Sequence, residues 1–265
     1  MIGGPSATLA PGSGGYSFDG NQWTGWKSAV SNVANFGPSG TVPTSVTTTV
    51  LNTITAGTLS GVNIFVSPWW TTSESSPYHS IIQTYFLGGG SLILLDDSSG
   101  RDGIASVLGI PTAGQNLVNW TASAPLLSPF AAPGTILTSG EIGFFTTANI
   151  TSRGGTVCAT NGTQPTAACF ARGAYAAGAG AMIIVADIDT WTSMANYSPP
   201  DSNGRFALNG TAFVINGSGT ITGTPPPTPS AAGAPTLSEW GIILLAILLV
   251  GFGCARVARR APEQA

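Results

Sequence analysis

Two short acidic stretches hold the side chains best suited to chemistry. Asp96-Asp97-Ser98-Ser99 follows the apolar run Ser91-Leu-Ile-Leu-Leu95, and Asp187-Ile188-Asp189 follows Ala181-Met-Ile-Ile-Val-Ala186. Carboxylates at the ends of neighbouring strands can share a hard cation such as Ca²⁺, which takes oxygen ligands, or serve as general acid and base. They can equally cap the helices that follow and accept bonds from loop N–H groups. Ser98 or Ser99 is a nucleophile only with a base in hydrogen-bond reach. The sole histidine, His79, lies just after Pro77-Tyr78 on an earlier predicted helix, a position that also suits a solvated surface residue. The candidate catalytic residues are thus Asp96, Asp97, Ser98, Asp187 and Asp189; Ca²⁺ is the only cofactor they suggest. Trp69-Trp70 with Tyr78 could form an aromatic platform for a sugar, although adjacent strand residues point opposite ways, which assigns at least one to the core.

The elements that must position these residues read as an alternation. Trp26, Ala29, Val30, Val33 and Phe36 have helical spacing before Gly37-Pro38, which predicts a helix over 24–36. Val46-Thr-Thr-Thr-Val50 and Val62-Asn-Ile-Phe-Val66 read as strands. Tyr78, Ile81, Ile82, Tyr85 and Phe86 make a helix face closed by Gly88-Gly89-Gly90. The strand 91–95 follows, then a short helix through Ile104, Val107 and Leu108. Strand and helix in alternation, with short glycine-closed joints, predict an α/β fold with a mostly parallel sheet and helices on both faces. The strand 181–186 and a helix over 203–215 complete it. Residues 112–180 are Pro-, Gly- and Thr-rich and read as a β-rich antiparallel insertion or edge section. Residues 1–20 read as irregular, so the predicted domain spans 21–216.

The stretch Gly88-Gly89-Gly90, strand, turn, short helix, Leu108-Gly109 resembles the class I glutamine amidotransferase-like (flavodoxin-like) fold, over roughly residues 60–110 and 180–215. That resemblance implies a nucleophilic cysteine in the turn after strand 91–95 and a His-x-Glu after a later strand. This chain has no cysteine in 96–99, and Asp187-Ile188-Asp189 stands where His-x-Glu would be. Amidotransferase chemistry is therefore not carried over, and the expectation is a non-catalytic binding or structural module. An extracytoplasmic hydrolase or metal-dependent enzyme using the strand-end aspartates is the alternative.

Composition and tail bear on location. Only 7% of residues are charged and the net charge is −3, with no basic stripe, which argues against nucleic acid as a partner. Of three cysteines, Cys158 and Cys169 flank a Thr-Asn-Gly-Thr-Gln-Pro-Thr turn and suit a disulfide in an oxidising compartment. A Pro-, Thr- and Gly-rich linker over 217–234 leads to an uncharged run, Gly241 to Ala255, followed by Arg256, Arg259 and Arg260. As a helix that run covers about 22 Å of a hydrocarbon core of about 30 Å, with Trp240 and snorkelling arginines at its ends. The trailing arginines place the C-terminus in the cytoplasm and residues 1 to about 235 outside. Met1 to Gly15 shows neither a basic n-region nor an apolar h-region, and the expectation is a start that has been trimmed or misplaced.

Pro235-Thr236-Leu237-Ser238-Glu239-Trp240-Gly241, then an apolar helix, then a basic cluster, resembles the IPTL-CTERM sorting tail, with Ala234 where that family has isoleucine. The resemblance implies an exported bacterial protein, held in the inner membrane with its domain outside. An exosortase-type enzyme would act on its tail near Pro235-Thr236-Leu237. It would then pass to the cell surface or an extracellular matrix, with polysaccharide or matrix as a partner.

Overall fold

Apolar runs of branched residues with no charge are stable as strands only when both faces are covered, and three such runs, Ile64–Ser67, Ser91–Leu95 and Met182–Val185, lie side by side in the sheet. The computed structural model describes residues 1–9, 15–115 and 118–217. Nine strands form one sheet: β1 (Ile2–Pro5), β2 (Thr48–Leu51), β3 (Ile64–Ser67), β4 (Ser91–Leu95), β5 (Trp120–Ala122), β6 (Thr135–Ile136), β7 (Thr156–Thr160), β8 (Pro165–Phe170) and β9 (Met182–Val185). Their order is β2-β1-β3-β4-β9-β8-β7-β5-β6. Neighbours from β2 to β9 are parallel, and those from β9 to β6 are antiparallel.

The sheet is therefore mixed in equal measure, not mostly parallel. Of the two alternatives for 112–180, the strands take the edge one: β5–β8 form an antiparallel section that extends the parallel half through β9. Every residue of β4, β8 and β9 is buried. Among the described residues seven α-helices accompany the sheet: α1 (Thr24–Ser31), α2 (Ala56–Ser60), α3 (Thr72–Ser75), α4 (His79–Leu87), α5 (Gly103–Val107), α6 (Thr147–Thr151) and α7 (Ser202–Gly217). Helix α7 packs on β4 and β9 and meets α1, while α2 packs with α4. Trp23, Trp26, Trp70, Trp120 and Trp191 are among the largest fully buried side chains.

Two expectations are corrected. The N-terminal residues are not all irregular: Ile2–Pro5 is an interior strand between β2 and β3. Its glycines admit close neighbours, since a Cβ on Gly4 would lie 2.4 Å from Phe18 Cγ. Helix α1 also stops at Ser31, short of 36. The amide of Asn35 donates to Asn32 O at 2.9 Å in a turn that follows, and Val33 is 70% exposed. The other predicted elements are present with ends displaced by a few residues, α7 running over Ser202–Gly217.

The Cys158–Cys169 disulfide is present, joins β7 to β8 and is buried. Among the described residues no helix is long and apolar enough to cross a membrane. The predicted linker from 218 onward, the sorting residues Pro235 to Gly241, the apolar run and Arg256, Arg259 and Arg260 lie outside the described residues.

Candidate functional site at the strand ends

Parallel strands deliver their C-terminal ends to one edge of the sheet, where open α/β folds place their sites. Leu95 pairs with Val185, and the Asp96 amide donates to Val185 O at 2.8 Å, so the two acidic stretches leave the sheet together. Asp97, Asp187 and Asp189 act on one another's charge there, and each is engaged by other parts of the chain.

Asp187 is fully buried. Its Oδ1 accepts from the Asp189 amide at 2.8 Å, capping the short helical turn Ile188–Thr190, and its Oδ2 accepts from the Ser139 amide at 3.1 Å. Burial raises its pKa well above the usual carboxylate range, against the pull of those N–H groups. Asp189 Oδ1 accepts from the Tyr16 hydroxyl at 2.5 Å and from the Ser193 hydroxyl. Burial first, and the bond to Asp189 second, push the Tyr16 phenol upward.

Asp97 meets Arg101 Nη1 at 3.2 Å, and the Ile188 backbone also favours its charged form. Burial dominates even so, and its pKa is raised to about 7. The base within reach of Ser98 is a carboxylate and not the histidine. The Ser98 hydroxyl donates to Glu141 Oε2 at 2.7 Å, and Glu141 Oε1 lies 3.3 Å from Arg101 Nη2. The Arg101 guanidinium also lies over the Trp69 ring, 4.5 Å from its centroid. Arg101 and Glu141 thus tie the turn after β4 to the loop before Gly143, whose amide donates to Ala186 O at 3.0 Å.

Asp96 is separate from this arrangement. It is buried, its Oδ2 has no hydrogen-bond partner among the described residues, and burial, then Asp102 and Asp97, raise its pKa well above the usual value. Asp102 Oδ2 accepts from the Thr112 amide at 2.7 Å.

His79 is not brought to Ser98. Its Nε2 lies 2.6 Å from Ser75 Oγ, and that hydroxyl also donates to Thr71 O at 3.0 Å, the back-bonding of a buried helix serine. Partial burial lowers the His79 pKa. The aromatic platform is closed as well: Trp69 and Trp70 are both buried, and Tyr78 meets Trp70 edge-on at 5.3 Å.

Among the described residues no three His, Cys, Asp or Glu side chains gather as a ligand set for a metal. The oxygens of Asp187 are taken by N–H donors, and a guanidinium beside Asp97 opposes a second cation. Sequence reasoning missed Arg101, Glu141, Asp102 and Tyr16. All four come from turns and loops with no periodicity to mark them.

Comparison with known proteins adds a motif and a fold. Residues 234–261 match the IPTL-CTERM motif, a C-terminal sorting signal of exported proteins. No curated protein matches the chain in sequence. Among solved structures, the N-terminal domain of mmIFT52 has a TM-score of 0.53 at 12% identity, over 78% of this chain and 93% of that one. The cytoplasmic proteins STM1381 and STM3548 from Salmonella typhimurium give TM-scores of 0.42 and 0.41 at 12% and 11% identity. They align over 64% and 62% of this chain and 81% and 80% of their own. These likenesses concern the fold alone.

Proposed function

We propose that this is an exported bacterial surface or matrix protein, held in the inner membrane by its tail until an exosortase-type enzyme acts near Pro235-Thr236-Leu237. Its outer domain is a flavodoxin- or amidotransferase-like module that binds or builds and does not catalyse. The observation that carries the reading is the IPTL-CTERM match over 234–261. The arginines after the apolar run support an outside position for the domain, and the Cys158–Cys169 disulfide is in keeping with an oxidising compartment. The parallel order β2-β1-β3-β4-β9 has the flavodoxin-like pattern, with its switch point between β1 and β3. The non-catalytic reading draws on the engagement of Asp187 and Asp189 by neighbouring N–H and O–H groups; the Ser98–Glu141 contact does not speak for it.

Mass spectrometry of the protein from its native cell tests the tail. A mature form ending near Thr236 is expected, and recovery only of chains that retain Arg256 to Ala265 contradicts cleavage. A hydrolase or metal-dependent reading draws on one pair of facts: the pKa of Asp97 near 7 and the unpartnered Oδ2 of Asp96. It requires that Asp97→Asn abolish a measurable hydrolytic or Ca²⁺-dependent activity while the fold persists.

A further inference from the structure

A second concavity lies away from the strand ends, between α1 with the turn after it and the segment 195–198. Its volume is about 270 Å³, near the lower end for ligand sites. It is lined by Ser28, Asn32, Asn35, Asn196, Tyr197 and Ser198, with Ala29 and Ala195 between them.

The asparagines are the informative residues. Asn32 Oδ1 accepts from the Ala34 amide at 2.9 Å, Asn35 Nδ2 donates to Ala29 O at 3.0 Å, and Asn196 Oδ1 accepts from the Ser198 amide at 3.0 Å. Each side chain is held by one end of its amide. The other ends, Asn32 Nδ2, Asn35 Oδ1 and Asn196 Nδ2, have no partner among the described residues, and neither do the hydroxyls of Ser28 and Ser198. Fixing one end of an amide orients the other and removes rotamer entropy before a ligand arrives.

The aromatic wall is fixed in the same way. The Tyr197 hydroxyl donates to Trp191 O at 2.6 Å, and its ring lies against Gly25, where an added Cβ would be 3.0 Å from the ring.

The charged side chains of the neighbouring segments are engaged by backbone groups and are not among the lining residues. The Lys27 ammonium donates to Phe18 O at 2.9 Å, and Asp201 accepts from the amides of Asn196 at 3.1 Å and Gly204 at 2.7 Å. An anion would need cationic donors here, a metal or amine would need carboxylates, and an apolar ligand would leave these amides unpaired. Hydroxyl groups, which donate and accept at once, match a mixed set of neutral donors and acceptors, and the C–H face of a sugar ring suits Tyr197, Ala29 and Ala195. We infer that this cleft binds a neutral saccharide chain. The inference rests on the reading of the outer domain as a binding module and names its ligand class.

The test uses full-length protein in a detergent without a sugar headgroup, titrated calorimetrically with cellohexaose, maltohexaose and N-acetylchitohexaose, and with an oligogalacturonate hexamer as an acidic counterpart. At least one neutral hexaose is expected to bind with a Kd below about 1 mM and the acidic hexamer at least about tenfold more weakly. Ser28→Arg, an exposed substitution into the cleft, is expected to abolish binding, and Asn196→Ala to weaken it about tenfold, both with an unchanged melting temperature. No binding by any neutral hexaose, preference for the acidic hexamer, or binding indifferent to both substitutions overturns the inference. Those outcomes leave the tail reading standing, because its own failure is a chain that keeps its C-terminus in native cells.

Discussion

The strand-end region and the cleft beside α1 solve opposite problems. At the strand ends, Asp97, Asp187, Asp189, Glu141 and Arg101 are packed into a partly dry edge where almost every polar atom is bound to another part of the chain. Beside α1 the polar groups are neutral, and each asparagine keeps one end of its amide for something else. On the proposed reading, the edge where the fold ordinarily places chemistry serves as a structural clasp, and recognition falls to a helix and loop at a different place. Burial explains the contrast. Charges sealed from water must find partners inside the protein or neutralise, whereas exposed amides can wait for a ligand at little cost.

The largest effect that would sharpen this comparison is on pH. The folded-state pKa of Asp97 is raised to about 7, so the folded chain binds a proton there that the unfolded chain releases at lower pH. Its contribution to stability is fully present below the ordinary aspartate pKa and is lost as pH rises through about 7. Denaturant unfolding between pH 4 and 8 should therefore show stability falling by up to about 4 kcal/mol from this residue, a slope that Asp97→Asn removes. Asp187, raised for the same principal reason, adds a decline of the same sign. A stability that instead stayed flat with pH through this window would mean that these carboxylates are solvated, as in an open site.

Next in size is the disulfide. Replacing Cys158 and Cys169 together by serine should lower unfolding free energy by about 3 kcal/mol, read from chemical denaturation with and without reductant. Equal stability of the two forms would remove the physical reason for an oxidising compartment.

Asp187→Ala should cost about 2 kcal/mol through the amides of Ser139 and Asp189 that it leaves unpaired. A gain in stability would be the mark of a crowded catalytic group, since such groups persist at the expense of the fold. The smallest expected effect is that of Asn32→Ala beside α1, within about 0.5 kcal/mol of the parent in stability. A larger loss would show that its amide serves the fold, as those at the strand ends do.

The parts of this architecture legible in the sequence were those with a contiguous apolar signal. The strand 91–95 was read to the residue, and β9 and α7 nearly so, because a buried strand or a long amphipathic helix leaves a pattern no turn can imitate. Strand β1 left none: Ile-Gly-Gly-Pro reads as a turn, and only the packing of Phe18 and Val62 on its glycines makes it an interior strand. In the region after α1, Val33 and Phe36 continue a helical spacing that the Asn32–Asn35 turn interrupts, and hydrogen bonds of that kind have no period. At the site, the aspartates were visible from their place after apolar runs. Arg101 and Glu141, which close it, are 40 residues apart in sequence and meet only because β5 to β9 fold back beside β4.

The central claim is that the domain faces outward while the arginine end of the tail stays inside. Intact native cells treated with an added protease, with fragments identified by mass, test it most directly. The account predicts loss of peptides from residues 1–217 while Arg256 to Ala265, where still attached, are protected. Protection of the domain with digestion of the arginine end would contradict it.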